Sequence, residues 1–181
     1  SMATSKQSIS ARLIRGMTLI ELMVGLVIVG MGMTIAVPSF QGMLVRNTMA
    51  TQVNEFLLTV NRARSAASAQ GGPVSVQALD AVEDNEFGAG WCIVSGNPGN
   101  CNAGVIMRVL PIAAESTLIF ATSGATAIEF DAMGALADAT ALDIDLCRAG
   151  HEGRRIHISA VGRSKSHKPT DPSISRQPDC P

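Results

Sequence analysis

From position 16 to 40 the chain is apolar almost without interruption, reading Gly-Met-Thr-Leu-Ile-Glu-Leu-Met-Val-Gly-Leu-Val-Ile-Val-Gly-Met-Gly-Met-Thr-Ile-Ala-Val-Pro-Ser-Phe. The pattern then becomes amphipathic. Met49, Val53, Phe56, Leu57, Val60, Ala63 and Ala67 recur at helical spacing, with Asn54, Asn61, Arg62 and Ser65 largely between them. Gly71-Gly72-Pro73 stops the run, since glycine closes a helix and proline cannot continue it. The pattern predicts one helix over 17–70, roughly 80 Å long at 1.5 Å per residue. Pro38, with Gly30, Gly32 and Gly42 nearby, should weaken or bend its middle.

Beyond residue 73 the period shifts toward two. Val74 to Leu79 alternates, and Trp91 to Ser95, Val105 to Leu110 and Thr117 to Ala121 are short β-rich runs. Ile128 and Phe130 share one side of Ala127 to Asp131, ahead of a Met133-Gly134 turn. Leu142, Ile144 and Leu146 alternate with Asp143 and Asp145, as Ile156 and Ile158 do with Arg155, His157 and Ser159. Antiparallel strands against one long helix is an α+β architecture.

Glu21 is the one charge inside the apolar run. A carboxylate at membrane depth costs about 2.5–3.5 kcal/mol and calls for a partner. Residues 17–40 are long enough to cross a bilayer core of about 30 Å. The preceding segment holds Lys6, Arg12 and Arg15 and no acid, which keeps that end cytoplasmic. No small-residue cleavage site follows the apolar run, so the run should be retained and the rest exported.

A formal net charge of −1 conceals an uneven distribution. Residues 1–76 carry six basic and two acidic side chains, 77–146 one and ten, and 147–181 seven and three. An acidic middle beside a basic tail admits a polyanion as partner. Glu83, Asp84 and Glu86, in a predicted loop, are candidates to meet a basic neighbour. Four cysteines in an exported chain imply two disulfides. Three pairings are open; Cys92–Cys101 and Cys147–Cys180 are favoured because each joins neighbours in cysteine order. The set Cys147, His151, His157 and Cys180 matches no compact zinc module, and no metal or other cofactor is expected. With all three histidines within 151–167 and no Ser or Cys nucleophile beside a base, an enzyme is not expected.

Arg15-Gly16-Met17-Thr18-Leu19-Ile20-Glu21-Leu22 resembles the class III signal of type IV pilins and type II secretion pseudopilins. The resemblance implies a type IV pilin-like fold and cleavage by a prepilin peptidase after Gly16. It further implies methylation of the new N-terminus at Met17, where the family usually has phenylalanine. Glu21 matches the family glutamate that pairs with the N-terminal amine of a neighbouring subunit, and Pro38 the family proline. The implied organisation is a leader over 1–16, a membrane and filament-core half-helix over 17–40, an amphipathic half-helix over 41–70 and a periplasmic β domain with a disulfide-bonded tail over 71–181. The implied partners are other pilins, the peptidase and, before assembly, the inner membrane. The final location is then an extracellular pilus or a periplasmic pseudopilus.

Ala63-Arg64-Ser65-Ala66-Ala67 followed by Gly72-Pro73-Val74-Ser75-Val76 is similar to the helix-to-strand junction of the GspH/FimT/FimU group, although that group often has glutamate where Ala66 stands. Ile128-Glu129-Phe130-Asp131-Ala132-Met133-Gly134 resembles its strand-turn signature. Cys147, Arg155-Ile156-His157-Ile158-Ser159, Gly162-Arg163 and Cys180 resemble its C-terminal end. FimT-like minor pilins carry Gly-Arg-x-Arg in a C-terminal loop implicated in DNA binding, and Gly162-Arg163-Ser164-Lys165 matches it with lysine for the second arginine. Lys keeps the charge but loses the planar fork.

The resemblance thus implies a minor pilin of the FimT/FimU kind. Double-stranded DNA would be bound through Arg163 and Lys165, extended by Lys168, Arg154, Arg155 and Arg176. Four to five phosphate contacts give a salt slope of roughly −4. Residues 147–181 hold no Phe, Tyr or Trp to stack on bases, so backbone contact without sequence preference is expected. The alternatives are a pilus-priming subunit without ligand and a GspH-like secretion pseudopilin.

Overall fold

The computed structural model describes residues 17–109, 117–168 and 180. Helix α1 spans Leu19–Gln70 and is continuous across position 38. Eight strands follow among the described residues: β1 Val74–Ala78, β2 Trp91–Ser95, β3 Val105–Val109, β4 Leu118–Ala121, β5 Ala127–Phe130, β6 Leu142–Arg148, β7 His151–Ile158 and β8 Ser164–His167. They form two four-stranded antiparallel sheets, ordered β3-β2-β1-β5 and β4-β6-β7-β8. Seven strands lie where alternation or β-rich composition predicts them. The eighth, β8, occupies Ser-Lys-Ser-His, which has no apolar residue to betray a strand and reads as loop. Hydrogen bonding to β7 makes it one.

The chain divides into two compact units at Met43/Leu44. In the first, almost every apolar side chain from Met17 to Met43 is exposed. This segment contains the stretch long and apolar enough to cross a membrane, with a mean hydropathy of 2.2 over its window. In the second, Val53, Phe56, Val60, Ala63 and Ala67 form one buried helical stripe against both sheets. Their partners include Val76, Ile93, Ile128, Ile144, Leu146, Ile156 and Ile158. Two aromatic contacts fix the stripe: Phe56 meets Trp91 edge-on at 4.9 Å and Phe87 at 5.4 Å. Trp91 Nε1 donates to Thr59 Oγ1 at 2.9 Å, so the indole is buried with its polar atom satisfied.

The outer edge of β4 is closed by side chains. Asn85 Oδ1 accepts from the Ile119 amide (2.9 Å) and Glu86 Oε2 from the Ala121 amide (3.2 Å). Glu86 is therefore buried, which corrects its place among the loop acids expected to meet a basic neighbour; only Glu83 and Asp84 of that trio are exposed.

Candidate functional site

At the start of α1, Thr18 sits just before the first helical residue. Its Oγ1 accepts from the Glu21 amide at 3.3 Å and its carbonyl from the Leu22 amide at 3.2 Å. This is an N-cap, and Thr-x-x-Glu is the capping-box spacing, a signal present in the sequence and missed in reading it. The cap places Glu21 in the first turn, where the helix dipole favours an acid. Met17 is exposed beside it. Gly16, the expected cleavage position, lies outside the described residues.

The basic residues of the C-terminal region are not one patch. Arg155 is a correction: it is buried, with Nε donating to Asp145 Oδ1 at 2.7 Å and Nη2 to Asp145 Oδ2 at 2.6 Å. Asp143 lies 3.8 Å from the same guanidinium and also takes His157 Nδ1 at 2.6 Å. A fully engaged arginine in a bidentate buried pair has no fork left for phosphate.

Alternation then separates the others. Lys165 pairs across strands with His157 and so shares its face, whereas Arg154 pairs with Leu146 on the face of the buried Ile156 and Ile158. Lys168 follows β8, two residues beyond Ser166, the cross-strand partner of Ile156. Arg163 stands in the β7–β8 turn, exposed. Arg176 lies outside the described residues. Arg163 and Lys165 are left together; Arg154 is turned from Lys165 by the pleat, which sequence order alone does not reveal.

The glycine of the Gly162-Arg163 pair has a packing role. Gly162 has φ +75°, and a Cβ there would stand 2.0 Å from the Gly134 carbonyl oxygen. The same oxygen accepts from Arg64 Nε at 2.9 Å, and the Leu136 amide donates to the Ala160 carbonyl at 2.9 Å. Three segments that share family motifs, namely Arg64 on α1, the turn after β5 and the turn after β7, thus meet at one joint.

Cys92 is bonded to Cys101 and Cys147 to Cys180. The first bridge clasps the β2–β3 loop, which a polar chain also holds: Gln77 Nε2 donates to Ser75 Oγ and Asn97 Nδ2 to Glu129 Oε2. The second bridge takes Cys147 out of any metal-ligand set.

The sequence model described as type II transport protein GspH matches residues 52–162, and that of the prokaryotic N-terminal methylation motif matches 12–37. A search of curated proteins finds no match. Among solved structures, the type IV minor pilin FimU of Pseudomonas aeruginosa is similar at 26% identity and TM-score 0.62, covering 75% of this chain and 96% of that one. A second crystal form of FimU gives 24% and 0.58 over 72% and 98%. The minor pseudopilin EpsH of Vibrio cholerae gives 12% and 0.49 over 68% and 98%. With the anchor helix, the two-sheet domain and the joint of family motifs all in place, the chain belongs to the GspH family, a minor pilin or pseudopilin and not an enzyme.

Proposed function

We propose that this chain is a minor pilin of a type IV pilus, held in the inner membrane by residues 17–40 and then drawn into the fibre or its tip. The observation that carries the pilus over the secretion system is the likeness to the minor pilin FimU, at 26% identity over 96% of that chain. Glu21 is the assembly residue. Its backbone amide is held in the first turn by the Thr18 cap, and its carboxylate pairs with the Met17 amine of a neighbouring subunit after cleavage at Gly16 by the prepilin peptidase. That pairing removes the cost of holding an acid among apolar side chains. Glu21→Ala should abolish recovery of the chain in sheared pili while leaving its amount in the membrane unchanged. Undiminished incorporation of the variant would sink the role assigned to Glu21. Loss of protein secretion with normal piliation on deleting the chain would instead favour the pseudopilin.

Capture of DNA for transformation is the second reading, and the exposure of Arg163 and Lys165 favours it. With Arg155 buried and Arg154 turned from Lys165, two to three contacts are available on one side. The expected salt slope on duplex DNA falls to about −2, at roughly −0.9 per phosphate. A titration at two salt concentrations with Arg163→Ala/Lys165→Ala as control measures it. Binding that survives the double variant would remove these residues from the reading.

A further inference from the structure

We infer that the outer edge of β3, with the groove between it and α1, takes an added β-strand from a different pilin subunit. The inference deepens the reading of this chain as a subunit that assembles among other pilins, and rests on it.

The two sheets have four outer edges, and three of them are protected. β8 is polar throughout, β5 is joined by the segment after its turn, and β4 is closed by Asn85 and Glu86. β3 is the exception. It pairs with β2 on one side and, among the described residues, with no strand on the other. Its composition does not discourage pairing either: it reads Val-Ile-Met-Arg-Val, with Val105 and Ile106 each 41% exposed. An apolar edge with unpaired backbone groups is a template for another strand, and folds that have no use for such an edge blunt it.

Beside this edge runs an open groove of about 590 Å³. Met107 and Val109 form its strand wall, on the same face as their cross-strand partners Ile93 and Trp91 in the core. Leu58 stands in its helix wall, with Glu55 and Arg62 about one turn to either side. Leu58 is 70% exposed, and among the described residues no other large apolar side chain of α1 beyond Leu44 is exposed.

Edge and groove together specify the occupant. The edge offers a row of main-chain donors and acceptors, which an extended chain matches residue by residue. The groove offers an apolar floor to every second side chain of that chain. Its rim holds one acid and one base, so it carries no net charge to draw a polyanion. Arg108, on the opposite face of β3, is turned to the Cys101 carbonyl at 2.7 Å.

A second copy fits less well than a different subunit. Among the described residues its one unprotected edge is again β3. Trp91 bonds to Thr59 and Ser95 to Gln70, so β2 runs in the sense of α1 and β3 against it. Joining two β3 edges antiparallel reverses one α1 relative to the other, whereas chains anchored through α1 in one membrane run the same way. A strand from a different pilin, laid antiparallel to β3, runs in the sense of α1 and meets no such conflict.

The test uses the full-length chain in the cells that make it, carrying the photo-reactive residue p-benzoylphenylalanine at position 107 or, in a second version, at 109. Irradiation should join both versions to one other pilin, at sites about two residues apart in a single segment of it. Ile106→Lys, on the edge, and Leu58→Lys, on the helix wall, should each lower the yield several-fold with the unfolding temperature unchanged. If Ile106→Lys lowers that temperature, Leu58→Lys alone decides. Products joined to residues 110–116 of the same chain, to a second copy, to lipid or to scattered sites would each overturn the strand addition, as would no product or a yield indifferent to Leu58→Lys. Recovery of the same chains in sheared fibres is scored in parallel. Chains present in fibres without the paired cross-links defeat the strand addition alone; chains absent from fibres and without the cross-links defeat the filament reading as well.

Discussion

Asp145 and Arg155 show how a residue can resemble a ligand-binding group and be structural. Both are charged, both alternate with apolar neighbours, and both are buried. Removing one partner of such a pair strands the other charge. Asp145→Ala should destabilise the β domain by about 3–5 kcal/mol, whereas replacing both members with apolar side chains of similar volume should cost far less. Chemical denaturation of the single and double variants measures the difference. At Gly162 the backbone conformation and the space both exclude a side chain. Gly162→Ala should lower stability by at least about 1–3 kcal/mol from the left-handed φ alone, read as a lower unfolding temperature. A surface substitution at the adjacent Arg163 should leave stability within about 0.5 kcal/mol, which separates the fold role of the glycine from any binding role of the arginine.

Among the elements, the sheet edges are treated differently. β8 presents serines, a lysine and a histidine, residues that discourage further pairing. β5 is joined by the segment after its turn, through Phe130 and Leu136 and through the Ala137 amide to the Glu129 carbonyl. β4 is closed by the Asn85 and Glu86 side chains. Glu86→Ala would leave the Ala121 amide buried without its acceptor. The expected loss is about 1–3 kcal/mol, with faster hydrogen exchange at Ala121 as the local sign. Unchanged exchange there would mean that the carboxylate does not close this edge in solution.

For the whole molecule, the division at Met43/Leu44 has a thermodynamic consequence. Among the described residues the first buried core residue is Met49, and the core stripe begins at Val53. Removing residues 1–43 should therefore leave the unfolding temperature of the remainder essentially unchanged, a calorimetric comparison on the chain from Leu44 onward. A large loss of stability would show that the apolar half-helix supports the domain. The apolar half has a different character: its exposed side chains call for an apolar surround, and the pairing proposed for Glu21 would make that surround specific.

How much of this was legible in the sequence follows from which residues interact locally. The apolar run, the helical stripe from Val53 to Ala67 and the stop at Gly71 are short-range patterns, so α1 and the family motif could be read directly. Seven of the eight strands followed from alternation or β-rich composition, because a half-buried strand must sort its side chains by face. The Thr18 cap is equally local, carried by the Thr-x-x-Glu spacing alone. Tertiary structure alone decided the remainder. β8 is a strand because β7 supplies hydrogen bonds, not because Ser-Lys-Ser-His prefers to be one. Arg155 lost its solvent exposure because β6 places Asp145 opposite it. Gly134 and Gly162 were legible as glycines in turns, but only the fold brings their backbones together. A sequence fixes what each residue can do; the packing of distant segments determines which of those capacities remain available.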